Sequence, residues 1–333
     1  MKNHKGELLL LLASIIWGSA YIFQKMGMDY VGPFTFGFCR FCLGALALTP
    51  VIWVFDRARG KKAAGFPDAG AGTAEPAGGE LATQAGTVEF PAAGELAARA
   101  GILSDRTLLV GSILCGLTQF AAGSLQQIGL VYTTAGKAGF ITSMHIVIVP
   151  ILMIFLQRKV GFHIWIGVAL AVFGMYLLCI TEGFHLHLGD GLVFGCAFVY
   201  AVQLLLIDYY AVRTDPLRLA AWQFLLAGLM SGVCMLIFED FVWAAIIACA
   251  VPILYTGFLE VAAAYTLEIY GQQTTSPAVA AIILSLESVF AVICGALVLG
   301  EHLTGRETIG CVLMMTAFLI TQVGGLKKQS KDV

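Results

Sequence analysis

Apolar segments long enough to cross a bilayer follow one another along this chain, a pattern that water-soluble folds do not accommodate. Spanning roughly 30 Å of hydrocarbon takes about 20 helical residues. That ruler predicts ten spans, near residues 7–26, 33–55, 107–127, 133–155, 161–181, 189–209, 216–238, 242–265, 275–299 and 305–325. The runs are continuous rather than alternating, so helices are expected and not the strands of a barrel. Composition agrees: the chain is 59% apolar and 12% charged, against about 45–50% and about 25% in soluble domains. The 242–265 segment is the weakest, because Pro252 and Glu260 interrupt it. The first run follows Lys2 and Lys5 like a signal peptide, yet it continues to Phe23 and has an internal counterpart near residue 200. It is therefore expected to stay as a helix.

The segments are also written twice. At an offset of 183 residues, Trp17, Gly18, Asp29, Pro33, Arg40 and Phe41 read onto Tyr200, Ala201, Val212, Pro216, Gln223 and Phe224. At an offset of 141 to 142, Gln119 falls on Glu260, Gln127 on Glu268, Thr133 on Thr274, and Ser143-Met144-His145 on Ser285-Leu286-Glu287. Duplication in an apolar chain is a transporter signature, since two related halves can rock around a site at their interface.

Charge placement sets the expected orientation. With a cytoplasmic amino terminus, Lys and Arg collect at Lys2, Lys5, 57–62, Arg99, Arg106, Arg158, Lys159, Arg213, Arg218 and 327–331, all on the cytoplasmic side, and only Arg306 falls outside. Both termini are then cytoplasmic, and five spans per half make the halves inverted. Residues 56–106 are rich in Ala, Gly, Pro and Glu and repeat Pro-Ala-(Gly/Ala)-Gly-Glu-Leu-Ala at Pro76 and Pro91. Such a segment lacks the apolar content to offset ordering entropy, and is read as a flexible cytoplasmic insertion with one short helix near 92–100. Nine Cys at membrane depth do not make a disulfide framework. Cys39 and Cys42 have half-site spacing but no second pair to complete a metal site.

In Trp17-Gly18-Ser19-Ala20, Arg40, Tyr132-Thr-Thr-Ala-Gly-Lys-Ala and Leu299-Gly300-Glu301 before Gly310, the chain resembles the drug/metabolite transporter superfamily, specifically its EamA-type proteins. It departs from them at Gln157-Arg158-Lys159, where the family often carries Leu-Gly-Glu. The resemblance implies an all-α polytopic membrane protein with ten transmembrane helices as two inverted five-helix EamA repeats. The first repeat is 1–55 with 107–181, the insertion 56–106, the second repeat 182–326 and the tail 327–333. It also implies a plasma-membrane exporter of amino acids or other small metabolites, with drug pumps and importers as variants.

Ionisable groups at membrane depth cost about 2.5–3.5 kcal/mol on insertion scales and are functional hypotheses by default. Glu287, midway along the 275–299 segment, is the strongest candidate for a central proton or cation site, with a protonated glutamate bonded to backbone as the alternative. Its counterpart His145 is also central. Arg40 offers bidentate contact to a carboxylate or phosphate, or an internal ion pair. Lys137 reaches substrate or snorkels. Glu260 faces a cavity or pairs with a cation, and Gln119 is its match from the other half. Trp17 and Tyr21, with Gln24, lie along one flank of the first span, as cavity lining or packing. Lys25 and Asp208 are expected to snorkel and Glu301 to cap a helix. Pro150 and Pro252 predict kinks. His185 and His187 with Glu182 and Asp190 read as a solvated loop rather than a metal site.

No phosphate-binding Gly-rich loop with Lys-Ser/Thr is present in the sequence, so ATP hydrolysis within this chain is not the energy source. No cofactor, no metal and no enzymatic activity are expected, and no basic face suggests nucleic acid. The expected partners are a small-molecule substrate, the lipid bilayer, a coupling proton or other cation, and a second copy in a homodimer. The rival readings are a multidrug exporter exchanging protons for lipophilic cations, and a non-transporting component such as a flippase subunit.

Overall fold

A computed structural model describes residues 5–64, 93–133, 135–179, 188–299 and 304–329. In the first half, α1 (Lys5–Met28), α2 (Pro33–Ala64), α3 (Ala93–Tyr132), α4 (Ala135–Thr142), α5 (His145–Phe155) and α6 (Phe162–Cys179) follow one another. The second half holds α7 (Leu188–Ala211), α8 (Pro216–Phe238), α9 (Trp243–Ala248), α10 (Ala250–Tyr255), a π-helical segment (Thr256–Ala264), α11 (Tyr265–Gln272), α12 (Pro277–Leu284), α13 (Glu287–Leu299) and α14 (Gly305–Gln329). Among the described residues there is no strand. Among the described residues, seven helical segments are long and apolar enough to cross a membrane, and shorter apolar helices lie at Phe162–Leu177, Pro277–Ala291 and Thr308–Ile320. Leu46, Trp222, Leu236 and Val251 face outward, an arrangement that lipid tolerates and water does not. The protein is an all-α polytopic membrane protein.

Helix starts follow local chemistry. Asp215 caps α8 by accepting from the Leu217 and Arg218 amides, and Pro216 occupies the first turn, where its missing N–H is not needed. The start of α2, at Pro33, is satisfied from a distance: Glu239 accepts from the Phe34 and Thr35 amides and from Thr35 Oγ1, at 2.7 to 2.8 Å. The carboxylate thereby ties the end of α8 to the start of α2, a position that favours negative charge.

Three expected spans are not single α-helices. The fourth and ninth break at Ser143-Met144 and at Ser285-Leu286, repeat-equivalent positions without Pro or Gly. Pro150 lies inside α5, downstream of the first break. The eighth turns at Cys249, passes Pro252 and runs as a π-helix before regaining α geometry at Tyr265. Its apolar window is Ala250–Gln272 rather than 242–265, which brings Glu268 into the span. Helix α2 continues past residue 55 and α3 begins before 107, at Ala93, while 65–92 lies outside the described residues.

The contacts carry the duplication. Helix α1 packs on the π–α11 span and on the broken α12–α13 span, as α7 packs on α3 and on the broken α4–α5 span. The self-paired contacts are α2 with α8 and α6 with α14. Exchanging the halves therefore maps the packing onto itself. Of the apolar clusters that result, the two largest centre on Ile146, Met175 and Ile282 and on Phe41, Phe224 and Tyr265, and Trp17 packs against both.

Candidate functional site

Between those clusters lies a polar cavity with a free volume of about 60 Å³. That is room for a few water molecules. Glu260, Glu268, Glu287, His145, Tyr21 and Trp17 are among the residues that line it. Arg40 stands behind Glu260, with Nη1 donating to Oε1 over 2.8 Å. Arg40 is 1% exposed, and its guanidinium carbon lies 4.6 Å from the centre of the Phe41 ring, so aromatic faces share its charge.

Local structure brings Glu260 there. It sits mid-way along the π-helical segment, a geometry that recurs at functional sites. Gly257 in the same segment lets α2 approach: an added Cβ would lie 2.7 Å from the Leu43 side chain. Glu260 Oε1 also accepts from Gln24 Nε2 at 2.9 Å, and Gln127 donates to the Gln24 oxygen. A second amide chain runs from Gln203 through Gln119 to the Tyr265 hydroxyl, at 2.7 and 3.0 Å. Trp17 meets Tyr265 edge-on, with ring centres 4.7 Å apart, and the Tyr200 hydroxyl lies 3.3 Å from that of Tyr265. The repeat mates Trp17 and Tyr200 thus converge on one tyrosine.

Glu287 opens α13 immediately after the break. Tyr21 and Ser143 hydroxyls donate to its Oε1, each at 3.3 Å. His145 opens α5 at the equivalent place and uses Nδ1 toward the Thr142 carbonyl at 3.0 Å. Gly18 lets α1 come against the start of α13, since an added Cβ would lie 2.5 Å from the Glu287 carbonyl oxygen.

Of the expected residues, Arg40, Glu260, Glu287, His145, Gln119, Trp17 and Tyr21 are therefore gathered in or directly behind one cavity. The Lys137 side chain lies outside the described residues, as do Glu301, Glu182, His185 and His187. Asp190 of that loop cluster accepts from Thr133. Among the described residues no group of His, Cys, Asp and Glu is suited to a metal ion. Both residues expected to snorkel are bonded near helix ends. Lys25 Nζ reaches back to the Leu130 carbonyl at 2.8 Å, and Asp208 accepts from Arg158 at 2.6 Å. The sequence reading missed Glu268, Gln126 and Gln203. Glu268 was legible as the repeat mate of Gln127, but a span closed at 265 left it out.

The EamA-like transporter family model matches residues 4–67 and 187–322. An uncharacterized transporter of Archaeoglobus fulgidus is 28% identical to the chain, over 97% of the chain and 87% of that protein. Another uncharacterized transporter of the same organism is 42% identical over 53 residues, 16% of this chain and 18% of its own. A solved structure titled only as a crystal structure of protein superposes with a TM-score of 0.71 at 14% identity, covering 97% of this chain and 98% of that one, a likeness of fold alone. With helices long enough to span a membrane and packing that repeats between halves, the chain belongs to the EamA-like transporter family.

Proposed function

We propose that this transporter is a ten-span secondary active exporter of small polar metabolites such as amino acids. Two inverted five-helix repeats rock around the central cavity, with both termini in the cytoplasm of the cell whose plasma membrane it occupies. Arg40 and Glu260 form the substrate end and Glu287 is the coupling carboxylate.

The charge balance of the cavity carries this reading. Three carboxylates, Glu260, Glu268 and Glu287, line it, and the guanidinium behind it, Arg40, is already engaged with Glu260. Buried charge without a partner is strongly unfavourable, so the cavity calls for further positive charge from protons, a metal cation or a substrate ammonium. A zwitterion meets both ends: its ammonium faces the carboxylates and its carboxylate competes with Glu260 for Arg40. Parting of the halves, the movement that alternating access uses, opens the cavity to such a solute.

The test is efflux from proteoliposomes loaded with a mixed amino-acid and metabolite pool, read by mass spectrometry with and without ion gradients. Selective loss of a few zwitterions, reduced in Arg40→Ala, is the expected result. Loss confined to lipophilic cation dyes would replace this reading with the multidrug one, and no loss from folded protein would reject transport of either class.

A further inference from the structure

We propose that Glu287, Tyr21, Ser143 and Ser288 form a sodium site. This names the coupling ion and rests on the reading of Glu287 as the coupling carboxylate.

The first observation is spacing. Glu287 Oε1 lies 3.3 Å from the Tyr21 hydroxyl and 3.3 Å from Ser143 Oγ, and Ser143 Oγ lies 3.3 Å from Ser288 Oγ. Hydroxyl hydrogen bonds prefer about 2.7–2.8 Å, and elsewhere in this chain serine hydroxyls reach backbone carbonyls at 2.7 to 2.8 Å. Four oxygens joined in a run by three such long contacts match neighbouring ligands of a cation. Oxygens roughly 2.3–2.6 Å from a hard ion, at right angles to one another, stand about 3.3–3.7 Å apart. The Gln126 amide is 3.3 Å from the Tyr21 hydroxyl and 3.4 Å from Thr142 Oγ1, and an amide flip would present its oxygen as a further ligand.

The second observation is charge and access. The set holds one carboxylate and otherwise neutral oxygens, which balances a monovalent ion and not a divalent one. Glu287 and Tyr21 line the cavity, so an ion can enter from the side on which substrate binds. All four residues are buried.

The third observation is asymmetry. The repeat mates of Glu287, Ser288 and Tyr21 are His145, Ile146 and Leu204, which offer an imidazole and two apolar side chains. Ser143 alone keeps an oxygen in its mate, Ser285, whose hydroxyl turns to the Ile282 carbonyl at 2.8 Å. The oxygen set, drawn from both halves, is thus found on one side of the pseudo-two-fold arrangement and is not a by-product of duplication.

The experiment is equilibrium binding of ²²Na⁺ to the purified full chain in nanodiscs at fixed pH, with choline holding ionic strength. Saturable binding displaced by unlabelled Na⁺ is expected, lost in Glu287→Gln. Removal of even an outer-sphere partner weakens metal sites about 10- to 100-fold, so loss of a ligand in Ser143→Ala or Ser288→Ala should weaken this one by at least about tenfold. Ser285→Ala should bind as wild type. Monodisperse elution of each variant excludes misfolding, and the two alanine variants keep the test valid if Glu287→Gln fails to fold. No saturable binding by wild type, or undiminished binding in Ser143→Ala and Ser288→Ala, overturns the sodium site. If ²²Na⁺ does not bind while a proton gradient drives solute flux, the sodium assignment falls and the transport reading stands. If ²²Na⁺ binds as expected and no solute moves, the site stands and the transport reading falls.

Discussion

Arg40 Nη1 meets Glu260 Oε1 at 2.8 Å, with both side chains almost wholly buried, and the pair joins α2 of the first half to the π-helical segment of the second. Its repeat counterpart pairs Gln223 with Gln119. There the two amides do not bond: Gln119 turns to Tyr265 and Gln203, and Gln223 has no partner among the described residues. One side of the pseudo-two-fold arrangement is ionic and the other neutral, so the two sides are not chemically equivalent.

Removing either charge alone strands the other in the interior, which costs about 3–5 kcal/mol. Arg40→Met and Glu260→Met should each lower the thermal unfolding midpoint in detergent, and the double variant should recover much of the loss. A double-mutant cycle with no coupling would show that the two charges act independently.

The Arg158–Asp208 pair should behave differently. Its arginine side chain is 40% exposed, and exposed pairs contribute about 0–1 kcal/mol. Arg158→Ala should leave the unfolding midpoint nearly unchanged in the same assay.

Glu287→Gln keeps the shape of the side chain and removes its charge. Flux driven by an ion gradient should be lost, while solute exchange between equal pools without a gradient should persist, since exchange needs substrate binding but no coupled ion. Counterflow and gradient-driven uptake measured on the same vesicles separate the two.

Gly18→Val tests the approach of α1 to α13. Even the first carbon would lie 2.5 Å from the Glu287 carbonyl oxygen, a backbone atom that cannot swing away. Transport should be abolished, whereas Gly191→Ala, where an added Cβ meets nothing within 4 Å, should transport like wild type.

Much of this was legible in the sequence, because the constraints are local or periodic. A helix must satisfy its own backbone in lipid, so apolar length alone marks spans such as α1, α7 and α8. An ionisable residue in such a run is too unfavourable to be idle, which singled out Glu287, Arg40 and Glu260. Duplication placed Ser143-Met144-His145 against Ser285-Leu286-Glu287 before any helix was seen to break there. What the tertiary structure decided are relations between segments. Arg40 and Glu260 are 220 residues apart, and no local pattern says that a guanidinium finds that carboxylate rather than a ligand. The breaks before His145 and Glu287 carry neither Pro nor Gly, so packing between the halves, not propensity, sets them. Glu268 belongs to the cavity because the eighth span runs over Ala250–Gln272, further along the chain than the sequence pattern places it. Hydropathy specifies which residues lie in the membrane, while partners for buried charge are chosen by the three-dimensional packing that leaves them no water.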